Sequence, residues 1–361
     1  MGAEFYIFVF LIVFIINLVA VRVKRFKMPF IILGFIILLA LIGFRYNVGT
    51  DYQSYLNYYS STKNMPIERI FTQRTEPFVV FMSHVFSNLI ENKFFVFFIY
   101  GFLTLLPLYL ANKLYGYRYL PYSVLLFCVL YLPFCLNGMR QGVSISFILL
   151  AFTYLANDKW RKSIVGLIIA FLFHYSSLVV IPFFIVYYLC KKFKKKTIIP
   201  IAITTAAISS IVLFFLGDIL LGYGFESYNY LLSDISTDNI NISYLYTYLP
   251  IILIPFIPNM LKEKWVEEER DKVAFYKQIM YSGFVFFIVG TAATYLNRFS
   301  LYFTSISILL LPMVLKNIKN KKLRILLGVL LILYLILFFV QQYVIWGRQD
   351  IIPYQTWIVG E

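Results

Sequence analysis

Asp51, His174 and three arginines, Arg45, Arg140 and Arg298, are the residues whose types and surroundings could carry chemistry. Arg45 closes the apolar run 28–44 and opens RYNVGTDYQSY, residues 45–55, in which Asp51 stands among Gly49, Thr50 and several tyrosines. Arg140 lies in LNGMRQG and Arg298 in LNRFS. A guanidinium presents a planar fork that pairs with phosphate or carboxylate oxygens in a way that lysine cannot. Asp51 could take the proton of an attacking hydroxyl, orient Arg45, or cap the helix that follows Gly49-Thr50. His174, in FHYSSL, is one of two histidines and could serve as a base or a hydrogen-bond donor. The other, His84, reads as a satisfied polar group. The bland alternative for the arginines is that they anchor helix ends by snorkelling to headgroups. Against it, Arg140 sits between Asn137-Gly138 and Gln141-Gly142, a polar, flexible break that an anchor would not need.

These residues must be positioned by membrane helices. Of the 361 residues, 61% are hydrophobic and only 14% charged, well below the roughly 25% charged of a soluble domain. The net charge of +15 would raise the question of nucleic acid in a soluble chain; here it is first a matter of which side of a bilayer the cations occupy. Cys128, Cys135 and Cys190 are odd in number and lie in or at the ends of apolar runs, which excludes a disulfide framework and a zinc spacing. No phosphate-binding glycine loop, nucleophile elbow or calcium loop is present, and the external acids form no DxD-like pair. The sequence therefore implies no metal and no cofactor.

Placing basic flanks inside predicts about twelve spans in an all-α polytopic membrane protein, forming one membrane domain over 1–361. The first runs over 5–21 and the second over 28–44, leading to an external loop at about 45–75. Within that loop, 51–61 sets Tyr52, Tyr55, Leu56 and Tyr59 at helical spacing, which suggests an interfacial helix with its aromatic side at headgroup level. Residues 76–90 are short for a span and read as an external, partly inserted or re-entrant helix, with crossing left open. Spans at 94–111, 120–136 and 141–156 follow. Segment 163–190 has basic clusters at both ends, so it must enter and return as a hairpin whose tip is His174-Tyr175-Ser176-Ser177. A span at 197–216, an external loop at 217–243 holding the sequon Asn241-Ile-Ser243, a span at 244–261 and a cytoplasmic loop at about 262–275 come next. Three further spans end near Asn297-Arg298, Lys316 and Gln341. In this topology the inner cations are mostly lysines, whereas the outer ones are mostly the arginines Arg45, Arg69, Arg74, Arg140, Arg298 and Arg348.

The stretch VGTDYQSY, the pair Glu76-Pro77, NGMRQGVSIS at 137–146, FHYSSL at 173–178 and NRFSLYF at 297–303 together resemble the EpsG-like family of Wzy-type bacterial polysaccharide polymerases. The resemblance runs through most of the chain in order. It implies a GT-C-like enzyme of the bacterial cytoplasmic membrane with its site on the extracytoplasmic face. Such an enzyme joins oligosaccharide repeat units carried on undecaprenyl pyrophosphate into exopolysaccharide or capsule, without a metal. Asp51, Arg140, His174 and Arg298 are the positions that match the family pattern, with Asp51 and His174 as catalytic candidates and Arg140 and Arg298 as substrate-binding ones; Arg45, Gln141, Tyr52 and Tyr175 join the binding set from their place in this sequence. The implied partners are lipid-linked oligosaccharides, the growing polysaccharide, membrane lipid, and a flippase and chain-length regulator of the same pathway, with no nucleic acid. A ligase making a single transfer, or a flippase that moves the lipid-linked glycan without bond formation, would occupy the same setting.

Overall fold

A computed structural model describes residues 1–23, 25–73, 75–192, 248–251, 253, 267–289 and 296–358. Among them every regular element is helical, and the one extended pairing is an isolated bridge between Arg45 and Thr356. This is what hydrocarbon demands, since a helix satisfies its own backbone where no water can. The chain divides into two compact units, Met1–Tyr154 with Trp160–His174 and Ile325–Glu361, and Leu155–Lys159 with Tyr175–Arg324.

The first unit holds α1 (Ala3–Arg22), α2 (Lys27–Gly43), α3 (Tyr52–Thr62), α4 (Pro77–Leu89), α5 (Phe95–Lys113), α6 (Leu120–Leu130), α7 (Leu132–Asn137), α8 (Met139–Ala156) and α9 (Trp160–Phe173). The second holds a 3-10 turn at Tyr175–Val180, then α10 (Ile181–Lys192), α11 (Glu267–Val289), α12 (Leu296–Thr304) and α13 (Ser307–Asn317). Helix α14 (Lys321–Phe339) leads back into the first unit.

Four described segments are long and apolar enough to cross a membrane: α1, α5, α8 and Lys321–Ile345. The pair α12 and α13, bent by 43°, would be a fifth. The expected count of twelve is not reached among the described residues: 197–216 and most of 244–261, with the loop 217–243 and its sequon, lie outside them, and α2, at 17 residues, falls short of a full span. The expected span 120–136 is broken at Tyr131 into α6 and α7. Pro133 lies in the first turn after the break, where a missing N–H costs least. The charged segment 262–277, whose sequence fits a cytoplasmic helix or loop, is helical from Glu267 onward, as the start of α11. Helix α4 has 13 residues, too few to span, as its length in the sequence indicates.

Helix α3 corrects a further expectation. Tyr52, Leu56, Tyr59 and Thr62 form its buried face, so this aromatic side packs into protein rather than lying at headgroup level. Tyr52 stacks on Phe97 of α5 with ring centroids 4.6 Å apart, because α4 and α5 cover that face.

The segment 347–358 ties the ends of the first unit together. The Tyr354 hydroxyl donates to the Leu41 carbonyl at 3.0 Å, the Tyr6 hydroxyl to Ile351 O at 2.9 Å and the Trp357 indole to Gly43 O at 3.0 Å. The same segment grips the loop after α2, where Tyr46 N–H donates to Gln355 O and Gly49 N–H to Asp350 O, each at 2.8 Å. Asn137 completes the latch by donating through Nδ2 to the carbonyl and the side-chain oxygen of Gln349, at 2.7 and 2.6 Å. Gly49 has φ +96°, and a Cβ there would collide with Asn137 Oδ1. Gly49→Ala is expected to destabilise the protein by about 1–3 kcal/mol, read from its unfolding midpoint in detergent. Gly116→Ala, at φ +62° with nothing within 4 Å, should cost less; equal losses would rule out the contact with Asn137 as the cause.

Candidate functional site

The site begins with a proline. Pro77 opens α4 and keeps Glu76 out of the helical region, at φ −51° and ψ 123°, and the Glu76 side chain caps no N–H of the helix. Glu76 is 4% exposed, and a carboxylate at that depth must find partners. It finds two. One oxygen accepts from the Arg140 guanidinium, and the other lies 2.8 Å from His174 Nδ1.

Three helices bring these residues together. Arg140 occupies the first turn of α8, just after the Gly138 break. His174 follows the last turn of α9, its N–H still bonded to Ala170 O at 3.0 Å. Helices α8 and α9 pack closely because Gly166 meets Phe147 O and Ala151, and Ser144 Oγ donates to Ala170 O at 2.8 Å. Phe78 of α4 packs edge-on against Phe173, with centroids 5.3 Å apart. Arg140 and His174 therefore sit at one end of a helix pair, with Glu76 between them.

Burial by itself would raise the Glu76 carboxyl. The hydrogen bond from His174 and the charge of Arg140 outweigh it and bring the pKa from 4.5 down to about 2. Glu76 is thus an anion at neutral pH and an acceptor only. His174 Nδ1 must carry the proton of their bond, and in the neutral ring Nε2 then holds the lone pair. That is the tautomer a general base requires.

Arg140 also lines a cavity of about 310 Å³ with Asp51, Ser54, Tyr55, Tyr58 and Thr75. Asp51 is exposed and stands at the N-cap position of α3, yet its side chain caps none of the helix N–H groups. Its backbone N–H approaches Asn137 Oδ1 at 3.5 Å. The Tyr55 hydroxyl accepts from Arg140 N–H at 3.4 Å.

The other candidates have different places. Arg45 is fully buried. Its guanidinium donates to Leu136 O and to Val48 O, contacts Met139 Sδ at 3.0 Å and lies 4.5 Å from the Phe97 ring centroid. It braces the loop from behind and does not line the cavity. Tyr52 packs against the same Phe97 ring, and Gln141 is buried in α8. Tyr175 and Arg298 belong to the second unit. There Arg298 is exposed in the first turns of α12, and Ser176 bonds Tyr302 at 2.8 Å. His84 Nδ1 lies 2.9 Å from Thr62 O and ties α4 to α3. Arg348 donates to Gln342 and stacks on Trp346. Arg69 is exposed in a 3-10 turn, and Arg74 lies outside the described residues.

Sequence reading missed two members of this arrangement. Glu76 stands in the sequence only as half of a Glu-Pro pair opening a short apolar helix. The available signal was that an acid placed just before a buried helix needs a cation. Asn137 reads as part of a flexible break, whereas it is the latch between the Asp51 loop and segment 347–358.

The family model described as EpsG family matches residues 28–356, nearly the whole chain. No curated protein and no solved structure matches it.

The Glu76 cluster should be visible in stability. Its carboxyl pKa lies below the ordinary 4.5 in the folded protein, so its stabilisation is present above pH 4.5 and drains away as pH falls toward 2. Glu76→Gln should lower stability at pH 7 by on the order of 2–4 kcal/mol, because it leaves Arg140 without its anion. It should also flatten the pH dependence between 4.5 and 2, and an unchanged acid limb in melting experiments would contradict the cluster.

Proposed function

The chain belongs to the EpsG family, and from that premise we propose that it is a Wzy-type polymerase of the cytoplasmic membrane. It joins undecaprenyl-pyrophosphate-linked oligosaccharide repeat units into exopolysaccharide or capsule at the extracytoplasmic face. Family membership supports the polymerase class. The observation that carries the chemistry is the Glu76 carboxylate bonded to both His174 and Arg140.

In this reading His174 is the base. An acceptor hydroxyl attacks the anomeric carbon of the donor's lipid-linked sugar and its proton passes to His174 Nε2. The new O–C bond forms as the bond from carbon to pyrophosphate oxygen breaks, and the electron pair leaves with undecaprenyl pyrophosphate. Glu76 fixes the tautomer and stabilises the imidazolium as it forms, the role a carboxylate plays beside a catalytic histidine. Arg140 holds Glu76 in place and faces the acceptor. Asp51 lines the same cavity as Arg140 and orients the acceptor.

Purified protein in lipid, given a polyprenyl-pyrophosphate-linked repeat unit and no nucleotide sugar, should yield a ladder of polymers. A single added unit would mean a ligase, and unchanged substrate that crosses the bilayer would mean a flippase. His174→Ala should slow the ladder by about 10²-fold or more. Full activity in that variant would overturn the assignment of His174 as the base.

A further inference from the structure

The residues of α3 divide into two faces at helical spacing. Tyr52, Leu56, Tyr59 and Thr62 are buried against protein, whereas Asp51, Ser54, Tyr55 and Tyr58, at spacings of three, four and seven, all line the cavity. One helix thus presents an uninterrupted polar stripe, and Thr75 and Arg140 face the same space from other elements. The stripe is made of hydroxyls on aromatic and aliphatic stems, with one carboxylate.

Among the described residues lining the cavity, Arg140 is the one cation, and Glu76 already holds it. Asp51 adds a negative charge with its carboxylate turned away from helix capping. The balance of Arg140, Glu76 and Asp51 is therefore one negative charge. A pyrophosphate brought here would face a carboxylate and an arginine whose charge is already neutralised, which is unfavourable at this range. Neutral hydroxyls meet the opposite situation, since a carboxylate accepts from them, a guanidinium donates to them, and tyrosine rings cover the apolar faces of a sugar. Burial pushes the Tyr58 phenol up to about 12, so it stays a neutral donor at working pH. At about 310 Å³ the space lies at the small end of ligand pockets, suited to a ring and not to a chain.

We infer that this cavity is a subsite for one uncharged sugar ring of the acceptor glycan, held by Asp51, Ser54, Tyr55, Tyr58 and Arg140, and that the donor pyrophosphate binds elsewhere. The inference rests on the polymerase reading for the word acceptor, but the recognition of a neutral ring over a phosphate stands on the lining residues alone. Ser54 is exposed on α3, so a large side chain there fills the cavity without entering the core.

The test uses full-length protein in nanodiscs and two probes: short lipid-free oligosaccharides made by partial hydrolysis of the source cell's polymer, and inorganic pyrophosphate. Oligosaccharide binding is followed by saturation-transfer NMR and pyrophosphate binding by the line broadening of its phosphorus resonance, both at millimolar ligand, alongside the ladder assay. The oligosaccharide should bind wild-type protein, and Ser54→Trp should weaken it at least 10-fold while changing pyrophosphate binding less than 2-fold. Tyr58→Phe, which deletes one hydroxyl and keeps the ring, should weaken the oligosaccharide about 3-fold to 10-fold and guards against misfolding of the first variant. Oligosaccharide binding that is undetectable, or indifferent to both substitutions, overturns the inference. Pyrophosphate binding that Ser54→Trp abolishes overturns it as well. A wild-type protein that binds the ring in this way but makes no ladder defeats the polymerase reading and leaves the sugar subsite standing. A ladder insensitive to both variants does the reverse.

Discussion

A carboxylate in the interior of a membrane protein is tolerable only when its charge is matched, and Glu76 makes that demand on the rest of the first unit. It takes its cation from the start of α8 and its hydrogen-bond donor from the end of α9. Those two helices can meet it together only because small residues, Gly166 and Ser144, let them pack closely. Removing either partner leaves a buried charge whose desolvation is no longer offset. The same pairing fixes which nitrogen of the neutral His174 ring carries the proton.

A second buried charge works to a different end. Burial lowers the Arg45 guanidinium to about 10, still charged at neutral pH, and it is satisfied by carbonyls, a thioether and an aromatic face. It holds the backbone of α7 against the loop after α2, while segment 347–358 pairs with that loop from another direction. Asp51 is thereby carried on a loop braced by residues at the far end of the chain, Asp350, Gln355 and Thr356.

The two arginines show why residue type alone does not assign a role. Both follow apolar helices and both could grip an anion. Arg45 is walled in by protein, whereas Arg140 keeps part of its side chain at a cavity while bonded to Glu76. The difference lies in which neighbours reach them.

The sequence by itself determined the membrane class, since so apolar a chain with so few charges has no other solvent, and the family, since its short motifs occur in a fixed order. It also determined the breaks at Gly138 and His174, because glycine, asparagine and histidine clusters interrupt the apolar pattern locally, and the shortness of α4, because length is countable. What it could not determine was pairing. Glu76, Arg140 and His174 stand 64 and 98 positions apart in their two contacts, and no periodicity links residues on separate helices. The buried aromatic face of α3 was hidden for the same reason: tyrosines at helical spacing fit a lipid headgroup and a protein wall equally well, and only the packing of α4 and α5 against them decides which they meet. Tertiary structure alone turned a Glu-Pro pair, an arginine and a histidine into one charged cluster, because a buried carboxylate is stable only where a fold brings its partners to it.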